Sequence, residues 1–254
     1  MKIAGIQHDI IWENTEANFE ALRPLIQEAA ASGAELIALP ELFSTGFSMN
    51  TGLIAEDVDG PSTLFLSELS RITGVPICGS VPILNSESVL PENCLLVVKP
   101  DGSIDRYAKK HLFSFAEEHN HYTAGSSNLT IRIGDLRISF FICFDLRFAP
   151  EFWCLAEETD LYVVVANWPE SRRDHWSSLL RARAIENQAY VLGVNRVGDG
   201  DGISHSGDSC LVNPLGENVV AAKQHSSEIF MGDVDQAVVC DTRSKFPFMS
   251  DRSE

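Results

Sequence analysis

The segment Ile138-Ser-Phe-Phe-Ile-Cys143-Phe-Asp-Leu-Arg147 begins as a nearly unbroken apolar run and becomes polar just after Cys143. Such a run predicts a strand that is covered on both faces. Cys143 therefore lies where a buried strand opens into a turn, a place where side chains are held rigidly and backbone N–H groups can bind a ligand. This position suits a nucleophile, but most cysteines at strand ends act only as small buried hydrophobes. Position alone leaves both interpretations open.

Other parts of the chain show the same alternation of strand-like and helix-like segments. Further apolar runs occupy residues 34–40, 94–98 and 161–166. Amphipathic stretches with helical spacing cover residues 15–31, 62–73 and 174–188. Alternating strands and helices are typical of an α/β fold. Because no Pro, Ser or Gly tract, internal repeat or change in composition separates two halves, we expect one domain over residues 1–254.

Composition and charge limit the cellular environments and the classes of partner that we expect for the chain. With 254 residues, of which 44% are hydrophobic and 22% charged, it resembles an ordinary globular protein. The formal charge of −17 repels nucleic acid and anionic membranes, so we favour a small molecule or a protein as partner. The six cysteines include no CxxC pair, and the first residues contain no apolar stretch long enough for a signal peptide or membrane span. We therefore expect reduced thiols and a cytoplasmic location.

Two charged positions beside apolar residues are further candidates for chemistry. Glu41 directly follows the apolar run at residues 34–40, so its carboxylate must be either solvated or deliberately paired. Lys109 and Lys110 lie in Tyr107-Ala-Lys-Lys-His-Leu-Phe113, beside bulky apolar residues. These surroundings are unusual for lysines that are merely solvated, although a solvated face is also compatible with the sequence.

Three segments together resemble the nitrilase-like carbon–nitrogen hydrolase superfamily, whose members carry a Glu–Lys–Cys triad in that chain order. Leu39-Pro40-Glu41 resembles the glutamate motif of the family. Residues 107–113 resemble its lysine motif, and residues 141–148 resemble its cysteine motif. The resemblance covers nearly the whole chain. It extends downstream to Arg183-Ala-Ile-Glu-Asn-Gln-Ala-Tyr-Val191, which is similar to the helix after the cysteine strand, and to residues 207–216, which are similar to a closing hairpin.

The resemblance assigns a role to individual side chains. It selects Lys109 over its neighbour, because the family lysine lies two residues before a His-Leu pair, and it makes Glu118 the auxiliary glutamate, with Glu117 as the rival. In the mechanism that it implies, Glu41 takes the proton of Cys143 as the sulfur attacks an amide carbon. Lys109 and a backbone N–H stabilise the oxyanion. Water then cleaves the acyl thioester and releases a carboxylic acid.

The resemblance also implies an architecture and an assembly. Members of the superfamily form a four-layer α-β-β-α sandwich, are usually paired as dimers, and need no metal or organic cofactor. We therefore expect an α/β sandwich of this type, a homodimer, and chemistry carried out by the side chains of the chain itself. His119, His121 and His175 lack a convincing metal-ligand spacing, and no role is assigned to them.

Within the superfamily, the resemblance favours the omega-amidase branch, which hydrolyses α-ketoglutaramate (2-oxoglutaramate) and related ω-amides of α-keto acids. The segments that carry this resemblance are residues 118–122, residues 165–169 and His175-Trp176. Such a substrate has a carboxylate, which a protein of charge −17 can hold only with a local cation. Arg172 is the first candidate and Arg147 the second. Alternatively, Arg147 forms a structural ion pair and Arg172 is simply exposed.

Phe144 and Trp168 complete the expected substrate contacts, and the backbone N–H of Phe144 is the expected partner of Lys109 in the oxyanion hole. Other enzymes with the same triad remain alternatives: an N-carbamoyl amide hydrolase, an aliphatic amidase and a true nitrilase. From a different class, a catalytically silent binding module is conceivable, because one fold can serve many functions. The intact set of nucleophile, base and cation argues against a silent module.

Overall fold

Two six-stranded β-sheets form the centre of the fold. The computed structural model describes residues 1–84 and 88–252, and its elements are numbered along the chain. The first sheet comprises β1 (Lys2–Gln7), β2 (Leu36–Ala38), β3 (Ile77–Ile83), β4 (Glu92–Val98), β5 (Ile104–Ala108) and β14 (Glu228–Asp233). The second sheet comprises β6 (Thr130–Ile133), β7 (Leu136–Ile142), β8 (Leu161–Ala166), β9 (Tyr190–Asn195), β12 (Cys210–Val212) and β13 (Asn218–Ala221). A separate two-stranded ribbon comprises β10 (Val197–Gly200) and β11 (Ile203–Ser206).

Parallel strands lie at the middle of each sheet. The strand orders are β14-β1-β2-β3-β4-β5 and β13-β12-β9-β8-β7-β6. Strand β2 runs parallel to β1 and β3, and β8 runs parallel to β7 and β9. Strands β8 and β9 are buried along their whole length, and β7 almost so, because the other sheet covers one face and helices cover the other. The apolar runs at residues 138–142 and 161–166 are therefore strands, as the sequence predicts.

The three helices that the sequence predicts are all present. The described part of the chain contains α1 (Thr15–Ala31), α2 (Thr51–Ile54), α3 (Pro61–Thr73), α4 (Ala149–Trp153), α5 (Arg173–Asn187) and α6 (Gln236–Lys245). Helix α1 begins after Asn14, whose side chain accepts a hydrogen bond from the backbone N–H of Ala17 at 3.2 Å and so caps the helix. Within residues 1–84 and 88–252, no helix is long and apolar enough to cross a membrane.

The layers follow the order α-β-β-α. Helices α1 and α3 pack on the outer face of the first sheet through residues such as Ile26 and Leu66. The inner faces of the two sheets meet in a second core that includes Leu95 and Phe140. Helix α5 covers the outer face of the second sheet, where Leu180 packs against β9. The four-layer sandwich that the resemblance implies is confirmed.

Polar side chains that follow the ends of strands from both sheets lie together at one edge of the sandwich. Strand β2 leads into Glu41, β5 into Lys109, β7 into Cys143 and β8 into Asn167. Strands pointing toward a common edge bring distant parts of the chain together there, which is how α/β folds commonly build binding sites. The ribbon β10–β11 lies beside the same edge, since its His205 borders the cavity that Lys109, Cys143 and Asn167 also line.

Candidate active site

Cys143 is the first residue after β7 and has a backbone φ of 44°. This value lies in the left-handed region, which residues other than glycine adopt at a cost and which is often found at functional sites. The buried carboxylate of Asp145 supports the turn by accepting the backbone N–H of Ile142 at 3.0 Å. It also accepts the hydroxyl of Tyr107 at 2.7 Å and the backbone N–H of His111 at 2.9 Å. The direction of the Cys143 side chain is thus fixed by the fold.

Lys109 is the centre of a buried ionic cluster. Its Nζ donates to Oε1 of Glu41 at 2.9 Å, and to Oε1 and Oε2 of Glu118 at 2.9 and 3.0 Å. All three side chains are 0% exposed. The ammonium also lies 4.9 Å from the centre of the Phe47 ring, within the range of a cation–π contact. The cluster contains one more carboxylate than ammonium, so it is suited to accept a further proton.

Glu41 is held from three directions besides the lysine. The side chain of Asn93 donates to its Oε1 at 2.8 Å, and the backbone N–H of Asn167 donates to its Oε2 at 2.8 Å. The side-chain amide of Asn167 donates in turn to the backbone carbonyl of Glu41. The next residue, Leu42, has a φ of 42° and donates its N–H to Oγ of Ser80 at 2.8 Å. The base candidate therefore has a rigid carboxylate on a rigid backbone.

Burial and neighbouring charges shift the pKa values of side chains in and beside the cluster. Burial alone would lower the pKa of Lys109, but the carboxylates of Glu118 and Glu41 raise it well above its usual value, so the amine stays charged. Burial, with the charge of Glu41, raises the pKa of Glu118, although Lys109 opposes the shift. Burial raises the pKa of Cys143 well above its usual value, and the charge of Glu41 and a hydrogen bond with it act in the same direction. The resting thiol is therefore neutral and needs a base during attack.

A cavity of about 650 Å³ opens above this cluster. Lys109 and Cys143 form part of its wall. The rest of the wall includes the aromatic side chains of Trp12, Phe47, Phe113, Phe144 and Trp168. The volume lies within the range of small-molecule sites, and an apolar wall with a few convergent polar groups is their usual character. The cavity is thus suited to a small substrate presented to the Cys143 thiol.

Two arginines supply positive charge to the wall of the cavity. The guanidinium carbon of Arg147 lies 4.7 Å from the centre of the Trp168 ring, and that of Arg172 lies 5.5 Å from the centre of the Phe113 ring. Burial and the charge of Arg172 lower the pKa of Arg147. Within the described residues, neither arginine forms an ion pair with a carboxylate, so the alternative of a structural ion pair for Arg147 is wrong. The two cations are placed to bind an anionic group together.

The residues predicted from the sequence occupy one site. Glu41, Lys109 and Glu118 form the cluster, and Cys143 borders it. The four predicted substrate contacts, Phe144, Arg147, Trp168 and Arg172, all line the cavity.

The three histidines left without a role are placed differently from these residues. None of them belongs to the described wall of the cavity, but Nδ1 of His175 lies 3.2 Å from Nη2 of Arg147. Among residues 1–84 and 88–252, no group of three His, Cys, Asp or Glu side chains is arranged to hold a metal ion.

Sequence reasoning missed several residues that shape the site. Asn93 and Asn167 contact Glu41, Asp145 braces the turn at Cys143, and His205 lines the cavity from the ribbon. The two asparagines had a usable signal, because each adjoins a long apolar run, and a polar side chain there needs a buried partner. No local pattern identifies Tyr107 and His111 as partners of Asp145, since both lie more than thirty residues away in the sequence.

A family model for carbon–nitrogen hydrolases matches residues 2–244. Omega-amidase YafV of Escherichia coli (strain K12) is 36% identical to the chain over 258 residues, an alignment that covers 100% of this chain and 97% of the relative. The 2-oxoglutaramate amidase of Bacillus subtilis (strain 168) is 31% identical, with coverage of 98% and 96%.

Comparison with solved structures agrees with the match to the family model. A CN-hydrolase superfamily protein from Xanthomonas campestris, whose crystal structure contains an arsenic adduct in the active site, superposes with a TM-score of 0.93 and 34% identity, covering 100% of this chain and 97% of the other. The fold, the buried Glu–Lys–Glu cluster beside a cysteine, and a family match over nearly the whole length lead to one conclusion: this chain belongs to the carbon–nitrogen hydrolase family.

Proposed function

We propose that this protein hydrolyses the terminal amide of a short α-keto acid, such as 2-oxoglutaramate, to a dicarboxylic acid and ammonia. The observation that carries the proposal is a single cavity whose wall holds Cys143 and Lys109 together with Arg147 and Arg172, two cations that have no carboxylate partner among the described residues. Relatives at 36% and 31% identity that are named omega-amidase and 2-oxoglutaramate amidase support it. The arrangement suits a substrate with an amide at one end and a carboxylate at the other.

The first half of the reaction forms a thioester. The sulfur of Cys143 attacks the amide carbon while its proton passes to Glu41, because the resting thiol is neutral and the carboxylate is its neighbouring base. The carbonyl π electrons move to oxygen and give a tetrahedral oxyanion. When the C–N bond breaks, Glu41 returns the proton to the departing nitrogen, which leaves as ammonia. Glu41 ends this half-reaction as a carboxylate.

Lys109 stabilises the oxyanion in this scheme. Two of its three hydrogen bonds go to the same partner, Glu118. One of them can therefore turn to the oxyanion while the ion pair with Glu118 is kept. The backbone N–H of Phe144 is the second donor in the proposal. Because Lys109 stays charged in its buried place, it acts as a fixed positive group where negative charge develops.

The second half of the reaction releases the acid. Water attacks the thioester carbon while Glu41 takes one of its protons, and collapse of the second tetrahedral intermediate breaks the C–S bond. The proton on Glu41 then returns to the sulfur. Glu118 serves as a positioning residue here, since its Oε1 and Oε2 hold Lys109 and its Oε2 also accepts the backbone N–H of Phe113 at 2.6 Å.

The substrate carboxylate is assigned to the two arginines. Arg147 lies within electrostatic reach of both Cys143 and Arg172. Each guanidinium rests against an aromatic ring of the cavity wall, which limits its motion and favours a planar, two-pronged contact with a carboxylate.

The test of the proposal is ammonia release from 2-oxoglutaramate, measured beside glutamine, a simple aliphatic amide, an N-carbamoyl amino acid and a nitrile. We expect fast turnover of the keto acid amide by the unmodified protein and none by Cys143→Ala. Preferred turnover of another compound would overturn the substrate assignment but keep the nucleophile. Turnover by Cys143→Ala equal to that of the unmodified protein would overturn the mechanism.

We further propose that the enzyme works in the cytoplasm as a homodimer. A reduced nucleophile suits that compartment, and the chain has six free cysteines. The dimer follows from the resemblance to the superfamily. Sedimentation equilibrium is expected to give a single species of twice the chain mass of 28.0 kDa. A monomer at micromolar concentration would contradict the dimer.

A further inference from the structure

Asn93 lies on β4 and makes one polar side-chain contact in the described structure. It is 0% exposed, and its Nδ2 donates to Oε1 of Glu41 at 2.8 Å. Its Oδ1 is buried and has no hydrogen-bond partner among residues 1–84 and 88–252. The orientation of the amide is fixed, because a carboxylate oxygen can accept a hydrogen bond from Nδ2 but cannot donate one to Oδ1.

A purely structural role does not explain an asparagine at this position. A buried acceptor without a partner costs stability, and an apolar side chain of the same size would avoid that cost. The strand around it is apolar, with Cys94 to Val98 all buried. The bond to Glu41 is therefore what accounts for an amide here.

That bond makes the two oxygens of the Glu41 carboxylate unequal. Oε1 receives two donors, Nζ of Lys109 and Nδ2 of Asn93. Oε2 receives the backbone N–H of Asn167. An ionised carboxylate oxygen has about two acceptor positions, so Oε1 is fully occupied whereas Oε2 keeps one position for a proton.

We propose that Asn93 is a positioning residue that reserves Oε2 of Glu41 as the atom that exchanges the proton with Cys143. The proton leaves Sγ for Oε2 as the S–C bond forms, and it leaves Oε2 for nitrogen as the C–N bond breaks. The inference rests on the proposed function, since it requires Glu41 to be the base.

The pH dependence of activity reports this role. The groups that face Glu41 are Lys109, Glu118, Cys143 and the phenol of Tyr122, and replacement of Asn93 leaves all four in place. Loss of a donor to the carboxylate that accepts the proton is expected to move the acid limb of the kcat/KM profile to higher pH.

The experiment compares the unmodified protein with Asn93→Leu, Asn93→Asp and a control, Cys94→Ala. Cys94 is the next residue of β4 and belongs to the outer core, so its truncation loosens the strand without touching Glu41. For Asn93→Leu we expect kcat/KM to fall about ten- to a hundredfold at the optimum, with the acid limb displaced upward. Resistance to urea should fall only modestly, because the lost hydrogen bond to Glu41 is partly offset by removal of the unpaired acceptor. Cys94→Ala should be less stable to urea and should keep the pH profile of kcat/KM of the unmodified protein.

The variant Asn93→Asp keeps the shape of the side chain and provides a second test. A carboxyl group at this position can donate a hydrogen bond to Glu41 only while it is protonated, so the activity of this variant should recover as the pH falls, opposite to Asn93→Leu. If Asn93→Leu keeps the original acid limb and only unfolds more easily, Asn93 is structural and the inference is overturned. If the unmodified protein releases no ammonia, or Glu41→Gln is fully active, the proposed function has failed and this inference falls with it.

Discussion

Replacing Lys109 with Met would remove the cation at the centre of the buried cluster while keeping a side chain of similar length. The two carboxylates of Glu41 and Glu118 would then face each other without a counter-charge, and both are 0% exposed. Removing one partner of a buried ion pair typically costs about 3–5 kcal/mol of unfolding free energy. Two carboxylates depend on this one lysine, so we expect a loss at the upper end of that range near neutral pH.

The loss should depend on pH, and its sign follows from proton binding. Burial and Glu41 already raise the pKa of Glu118 in the native protein, with Lys109 opposing the shift. Without Lys109, the native state of the variant binds a proton that the unfolded chain, with a glutamate pKa of about 4.3, has released. Stability therefore decreases as pH rises through this window and is greater at low pH. The difference between Lys109→Met and the unmodified protein should be larger at pH 8 than at pH 5.

Urea unfolding followed by tryptophan fluorescence at both pH values measures this difference. The matched control is Lys110→Met, because Lys110 is the adjacent lysine but pairs with Glu151 near the surface, where ion pairs contribute up to about 1 kcal/mol. Lys109→Met should also lose at least about a hundredfold in kcat, the usual cost of removing an oxyanion donor. The reasoning is refuted if the two lysine variants are equally stable at pH 8.

Three further predictions concern the surroundings of the cluster. Arg147→Met should raise KM for 2-oxoglutaramate about tenfold or more while leaving a neutral amide unaffected, because it loses a carboxylate contact. Arg132→Met, at an exposed position of β6, is the control, and equal effects of Arg147→Met on both amides would contradict the assignment. Tyr107→Phe should lower the free energy of unfolding, measured with urea, by about 1.5–3 kcal/mol, because the hydroxyl donates a hydrogen bond to buried Asp145. An unchanged urea midpoint would mean that this bond does not brace the turn at Cys143. Chloroacetamide, an electrophile of amide size, should modify Cys143 before the other five cysteines, as peptide mass spectrometry would detect; earlier modification of an exposed cysteine would favour a silent binding module.

Most of the fold could be predicted because its central strands are buried on both faces. A strand such as β8, with its continuous apolar sequence from Leu161 to Ala166, carries its own signal. Cys143 was also visible locally, since the apolar run stops there. Assembly of the three motifs into one site required the resemblance, because no local pattern states that Glu41 and Lys109 meet at 2.9 Å from two different strand ends.

The rest of the site depends on contacts between residues that are distant in the sequence. Tyr107 lies on β5 of the first sheet and Asp145 in the turn after β7 of the second sheet, and their hydrogen bond forms only when the two sheets pack together. The sequence offers Arg172 first and Arg147 second for the substrate carboxylate, but charge alone does not show that both line one cavity or that, among the described residues, neither has a carboxylate partner. The ribbon β10–β11, which brings His205 to the cavity, has too little apolar periodicity to be recognised.

The most direct test of the central claim is the covalent intermediate itself. The protein is mixed with 2-oxoglutaramate, quenched in acid during steady-state turnover, digested and analysed by mass spectrometry. We predict a mass gain equal to the substrate minus ammonia, located on the peptide that contains Cys143 and removed by hydroxylamine, as expected for a thioester. Ammonia release without any adduct in the unmodified protein, at rates that Cys143→Ala matches, would contradict the claim that this cysteine is the nucleophile.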